Sequence, residues 1–183
     1  NIRLPFGHGT LIASSSESAS DGYLPGGTAM IVRGRTSGCN ARNGSDSMGR
    51  FSWTALRGKD DTGILVITAY RVCQHKGYQA GPNTAYTQQF VALREAGVRD
   101  PDPRNIVLDD ISTVIQEWYQ LGYHPLLMID ANASIDEKKL DEFIQQNGLI
   151  DLIASTNEGT PQRTYSRGPN RIDFIFGSQH IRN

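Results

Sequence analysis

Residues 125–132 read Pro-Leu-Leu-Met-Ile-Asp-Ala-Asn (PLLMIDAN). The apolar run is too short for a helix and apolar enough for a strand in the interior of a sheet, and it ends abruptly on polar side chains. Upstream, Leu108, Ile111, Ile115 and Trp118 recur at helical spacing behind Asp102-Pro103 and stop at Gly122, the start and stop signals of an amphipathic helix. Downstream, Leu140, Phe143 and Ile144 predict a further helix that Asn147-Gly148 ends. The interior strand is thus framed by helices, which is the grammar of an α/β domain.

Further out, the same alternation continues. Tyr86, Phe90 and Leu93 predict a helix with Thr84 as its N-cap. Gly63–Tyr70 (GILVITAY) is short and rich in β-branched residues, and suits a buried strand. Arg171–Phe176 (RIDFIF) alternates, with Ile172, Phe174 and Phe176 on one face and Asp173 on the other. The first third of the chain predicts strands at Thr10–Ser14, Thr28–Val32 and Phe51–Leu56, with a polar loop over Ser15–Gly22. There is no repeat, no linker and no Gly-rich phosphate fingerprint. One domain over residues 1–183 is expected, built of two packed sheets with helices outside.

Composition bounds the possibilities. The chain has 183 residues, 38% of them hydrophobic and 20% charged, enough for a substantial core. No apolar run reaches the length of a membrane-spanning helix, so no membrane partner is expected. Only Cys39 and Cys73 occur; their spacing suits no metal, and reduced thiols of an intracellular protein are the expectation. The net charge of −1 gives no support for polyanion binding, but the distribution is uneven. Residues 100–160 carry twelve acidic and three basic side chains, whereas residues 1–60 carry seven basic and four acidic. Basic loops on one rim and acidic helices elsewhere would follow, or simply acidic solvated helix faces.

Four residues stand out chemically. Asp130 and Asn132 follow the interior strand at i and i+2, which in an extended segment puts both on one side. A carboxylate can orient or deprotonate a water, and an amide can donate to charge building on a phosphoryl group; the ordinary alternative is an Asx turn leaving the strand. Asp173 interrupts an apolar strand, where an unpaired buried carboxylate would be costly. It calls for Arg171 or a histidine as partner, or else faces solvent. Tyr70 closes GILVITAY and has a hydroxyl to offer a phosphate, although a tyrosine at a strand end is commonly packing with a wet tip.

Taken in order, TAY ending at Tyr70, MIDAN at 128–132 and RIDFIFGS at 171–178 resemble the endonuclease/exonuclease/phosphatase superfamily, the deoxyribonuclease-I-like enzymes. YLPGGTAMIV (23–32), GRFSW (49–53) and VITAY (66–70) look most like endonuclease domains found beside reverse transcriptases in retroelements. The resemblance implies a four-layer α/β/β/α sandwich, here expected to be incomplete at both ends. It implies Mg²⁺- or Mn²⁺-dependent phosphodiester hydrolysis, a DNA or other phosphodiester substrate, an adjacent reverse transcriptase domain and an intracellular, even nuclear, location. Asp130 would act on the nucleophilic water, Asn132 and Tyr70 would contact the scissile phosphate, and Asp173 would pair with a catalytic histidine.

The departures are specific. Ile129 stands where the family has Gly before the Asp. The family's metal-binding Glu has no counterpart; Glu17, in a Ser-rich loop, does not fit, so the metal ligand is unassigned. The S-D-H that carries the histidine would fall beyond Asn183. His180, only seven residues after Asp173, is a poor substitute, and His8, His75 and His124 read as surface histidines. This stretch alone is therefore expected to be inactive. A catalytically degenerate binder of nucleic acid or of a protein partner, and a phosphatase for small phosphate esters or lipids, are the alternatives.

Overall fold

The computed structural model describes residues 9–14, 26–60, 62–74, 81, 83–156, 162–165, 168, 170 and 171–182. Glu17, His8, His75 and the 15–22 loop lie outside them. Among the described residues there are eight strands: β1 (Gly9–Ser14), β2 (Thr28–Arg33), β3 (Asn40–Ser45), β4 (Phe51–Arg57), β5 (Gly63–Tyr70), β6 (Tyr123–Asp130), β7 (Leu149–Asp151) and β8 (Asp173–Ser178). The α-helices among the same residues are α1 (Ala85–Glu95), α2 (Pro103–Tyr119), α3 (Lys138–Gln146), α4 (Leu152–Thr156) and α5 (Gln179–Arg182).

The strands form a six-stranded sheet of order β3-β4-β5-β6-β8-β7 and a two-stranded sheet β1-β2. Within the large sheet β5 and β6 alone run parallel. A parallel pair cannot be closed by a hairpin, so the chain crosses over between them through α1 and α2. α1 and α2 start where the sequence signals them. Thr84 Oγ1 accepts from Thr87 N at the head of α1, and Asp102 accepts from Arg104 N at the head of α2, with Pro103 in the first turn. Gly122 and Gly148 take the positive φ angles, 81° and 58°, that turn the chain out of α2 and α3.

Alternation decides which face each strand buries. Phe51 and Ala55 of β4, Leu65, Ile67 and Ala69 of β5, Leu127 and Ile129 of β6, and Phe174 and Phe176 of β8 meet Val107, Leu108, Ile111, Ile115 and Trp118 of α2 in one core. The chain's two tryptophans lie at the β4 side of this core: Trp53 and Trp118 have ring centroids 5.3 Å apart, and Tyr123 lies 4.7 Å from Trp118. The small β1-β2 sheet lies against β4 and β5. Ile12, Ser14 and Val32 point inward from it, while the paired Leu11 and Ile31 face outward and are exposed. Thr28 and Ser52 share a 3.0 Å hydroxyl contact between the two sheets. Two stacked sheets with helices outside are thus present, as the sequence predicts.

Some elements depart from expectation. β3 is a polar strand (NARNGS) with no apolar alternation, and β7 has three residues, too short to register as a pattern. The last strand begins at Asp173 rather than Arg171, and His180 lies just past it on α5. Both cysteines are free thiols.

Candidate active site

β5 and β6 are in register from Gly63↔Tyr123 to Tyr70↔Asp130, and β6 and β8 pair Asp130 with Asp173. Paired positions point to the same side of a sheet, so Tyr70, Asp130 and Asp173 form one row across three adjacent strands. With strands about 4.8 Å apart, the row spans roughly 10 Å. It lies at the carboxyl ends of the two parallel strands, where an α/β sheet leaves a crevice. Its immediate sequence neighbours Ala69, Ile129 and Phe174 are buried in the helix-side core, so the row faces away from α2. The pairing continues past the strands: Arg71 N donates to Asp130 O at 2.9 Å and Ala131 N to Ile172 O at 2.8 Å.

Asn132 joins the row by a route other than extended spacing. The chain leaves β6 at Asp130, and Asn132 takes a φ of 45°, a left-handed conformation that asparagine tolerates. Its backbone N–H donates to Asp130 Oδ1 at 3.2 Å, which is an Asx turn. Its side-chain nitrogen donates to Arg71 O at 2.8 Å, and its side-chain oxygen accepts from the Cys73 thiol at 3.2 Å. Of the two readings of Asp-Ala-Asn, the Asx turn is the one present, and it puts the Asn132 backbone N–H on the Asp130 carboxylate. One amide hydrogen is committed to Arg71 O, and the second has no hydrogen-bond partner among the described residues.

The electrostatics are those of a half-buried, anionic spot. Burial pushes the Asp130 carboxyl above its ordinary range; the Asn132 N–H opposes this, and neighbouring Asp173 adds to it. Burial, then the Cys73 thiol and the Asp130 carboxylate, hold the Tyr70 phenol above its ordinary value, so its hydroxyl stays protonated and able to donate. Asp173 itself is exposed. Its backbone N–H and that of Ile172 donate to Thr164 Oγ1 at 3.1 and 3.0 Å.

Of the alternatives the sequence leaves for Asp173, a solvent-facing carboxylate is the one present, and Arg171 is not its partner. Arg171 pairs with Asp151 on β7 and stacks over the Phe174 ring at 4.5 Å. Asp173 has no ion-pair partner among the described residues. His180 stacks on His124 with centroids 4.3 Å apart, near the opening end of β6 and away from Asp130. There the His124 pKa is lowered by burial and by His180. Among the described residues no three His, Cys, Asp or Glu side chains gather as a cation cage. Asp130 and Asp173 offer a divalent ion two carboxylates and no third, which does not complete a site.

Sequence reasoning passed over the residues that brace this row. Arg50 is buried; it binds Asp46 Oδ2 at 2.5 Å and Asp110 Oδ2 of α2 at 2.6 Å, and its carbonyl accepts from Tyr70 N at 2.8 Å. Arg71, next to Tyr70, is wholly buried and forks onto Glu137. Cys73 touches Asn132 from an exposed position. One signal was available: Arg104 stands in the first turn of α2, where a cation opposes the helix dipole and needs another reason to be there. A cavity of about 680 Å³ opens beside Asn132, lined also by Gln74, Tyr86, Asn105 and Lys139.

No protein-family model and no curated protein matches the sequence. Solved structures do match. The human Nocturnin catalytic domain, solved with a bound sulfate anion, is 12% identical with a TM-score of 0.59, over 94% of this chain and 61% of that one. An endonuclease/exonuclease/phosphatase family protein from Bacteroides thetaiotaomicron is 14% identical with a TM-score of 0.50, over 93% and 59%. The 3′ phosphatase NExo from Neisseria, bound to a product DNA hairpin, is 16% identical with a TM-score of 0.52, over 95% and 68%. The chain spans about three fifths of the length of the first two. In its two sheets and its helices, this chain has the deoxyribonuclease-I-like fold of the endonuclease/exonuclease/phosphatase proteins.

Proposed function

We propose that this chain is part of a phosphodiester hydrolase, a Mg²⁺- or Mn²⁺-dependent DNA endonuclease of a retroelement polypeptide. The observation that carries the reading is the row Tyr70–Asp130–Asp173 with Asn132 beside it, at the carboxyl ends of parallel strands. The bound product DNA of the matched 3′ phosphatase supports a DNA substrate. The retroelement setting rests on the segments at 23–32, 49–53 and 66–70 alone.

The chemistry assigned to each residue follows from its surroundings. Asp130, with its raised pKa, is a better proton acceptor than an ordinary aspartate and sits where it can orient a water or take its proton. The uncommitted hydrogen of the Asn132 amide and the protonated Tyr70 hydroxyl are donors held in place for phosphoryl oxygens. Asp173, exposed and without an ion partner among the described residues, is placed to receive a histidine and favour its cationic form. The divalent ion would polarise the phosphoryl group; the described residues do not complete its site.

The test is a plasmid-nicking series across pH, with and without EDTA, on the parent domain, beside a DNA-binding assay. Wild type should nick only with the divalent ion. Asp130→Asn should lower the rate by at least about 100-fold, the usual cost of one catalytic group, while DNA binding is kept or tightened. Nicking that survives both EDTA and Asp130→Asn would sink the mechanism. Binding without any wild-type cleavage would identify a degenerate binder, and turnover of small phosphate esters in place of DNA a phosphatase.

A further inference from the structure

Behind the row, two buried cations share one carboxylate. Arg71 Nη1 and Nη2 donate to Glu137 Oε2 and Oε1 at 2.5 and 2.8 Å, a bidentate fork, and its Nε donates to Arg104 O at 2.8 Å. Arg104 donates to the same carboxylate at 3.1 Å, to Val72 O at 2.5 Å and to Asn132 O at 3.3 Å. Three segments are tied at one point: the chain leaving β5, the head of α2, and the loop after β6. Glu137 is also the residue before α3, yet its side chain makes no cap hydrogen bond there, because it is spent on the two guanidinium groups.

Among the described residues, every hydrogen bond that fixes Asn132, apart from those to Asp130 and Cys73, comes from this knot. Arg71 O accepts the Asn132 amide and Arg104 holds the Asn132 carbonyl. A buried ion cluster of this kind adds little net stability over a packed apolar one. What it supplies here is geometry.

We propose that Glu137 is a positioning residue: through Arg71 and Arg104 it aims the Asn132 amide at the substrate phosphate. This rests on the phosphodiesterase reading above. A misplacement of about 1 Å in a group that must meet a transition state costs on the order of 100-fold, so releasing the knot should act on turnover more than on affinity.

The experiment is a double-mutant cycle in the parent polypeptide with Glu137→Gln, Asn132→Ala and the pair, and Arg71→Lys as a second way to undo the fork. Glu137→Gln and Arg71→Lys should each lower kcat about 30- to 100-fold with KM within about twofold. The double Glu137→Gln/Asn132→Ala should be no slower than Asn132→Ala within about twofold, because one residue acts through the other. Multiplicative losses in the double mutant would overturn the proposal. A second readout needs no activity: in the same polypeptide, Glu137→Gln should shift the side-chain ¹⁵N–¹H pair of Asn132, and an unmoved pair would overturn the proposal. Absence of wild-type cleavage, or full activity in Asn132→Ala, would instead defeat the phosphodiesterase reading, and the resonance test still decides the positioning.

Discussion

Asp130 sits in the chain at a thermodynamic disadvantage that its neutral analogue would not share. Burial and Asp173 raise its folded pKa above the unfolded value. The group therefore contributes stability below its ordinary pKa, and that contribution is lost as pH rises through the raised folded value. Asp130→Asn should raise the melting temperature at pH 7 by about 2 °C, a small gain because the carboxyl is half in solvent, and the gain should vanish below the ordinary aspartate range. An asparagine at 130 still has an oxygen to accept from Asn132 N, so the turn should survive. Thermal melts of the two proteins between pH 3 and pH 7 would show it; a variant less stable at neutral pH would mean that the turn, not the charge, dominates. Gained stability with lost activity is the pattern expected where a functional group is held against its preference.

At the scale of elements, the parallel pairing of β5 and β6 sets the site, and its register begins at Gly63↔Tyr123. A methyl group on Gly63 would come within 2.4 Å of the Tyr123 ring and 2.8 Å of the Leu56 carbonyl oxygen. The second of these is backbone and cannot swing aside. Gly63→Ala should cost about 2 kcal/mol through overpacking, seen as a lower denaturant midpoint with an unchanged slope. A shift below about 0.5 kcal/mol would mean that the Tyr123 ring moves cheaply and the register is set elsewhere. Elements were the most legible level of this sequence, because β5 and β6 are short apolar runs, α2 carries a helical period behind a capping Asp102, and α3 carries a helical period with a clear stop at Asn147-Gly148. β3 and β7 were not legible: β3 is held by its pairing to β4 rather than by apolar alternation, and β7 is only three residues long.

For the whole molecule, the Arg71–Arg104–Glu137 knot joins strand, helix and loop far apart in sequence, and its carboxylate sets an acid limit. The fork from Arg71 lowers the Glu137 pKa against the opposing effect of burial, and Arg104 adds to it. That stability is present above the ordinary glutamate value and is lost as pH falls through the lowered folded value. Glu137→Gln leaves two buried cations unpaired and should cost about 2 kcal/mol at pH 7, below the full cost of breaking a buried pair because the carboxylate remains a third exposed. The gap to wild type should narrow as pH falls below the ordinary glutamate range and close where Glu137 becomes protonated in the folded protein; a gap that never narrows would point to lost packing instead. Such a knot is beyond single-sequence reading. Asp130, Asn132, Tyr70 and Asp173 announce themselves by residue type at strand ends, whereas Arg71 and Glu137 are 66 positions apart and only the crossover brings them together.

The aromatic cluster has a practical corollary. Trp53 and Trp118 are the only tryptophans and nearly touch, with Tyr123 against the second. Tyr123 opens β6 and Asp130 ends it, roughly 20 Å away at about 3.3 Å per residue. Emission excited selectively at tryptophan, beyond the absorption of the seven tyrosines, thus has a single origin in this chain, an indole pair between α2 and the sheet. It will follow the docking of that helix during unfolding and will be nearly blind to what binds at the carboxyl ends of the strands, so ligand titrations there call for a label placed near Asn132.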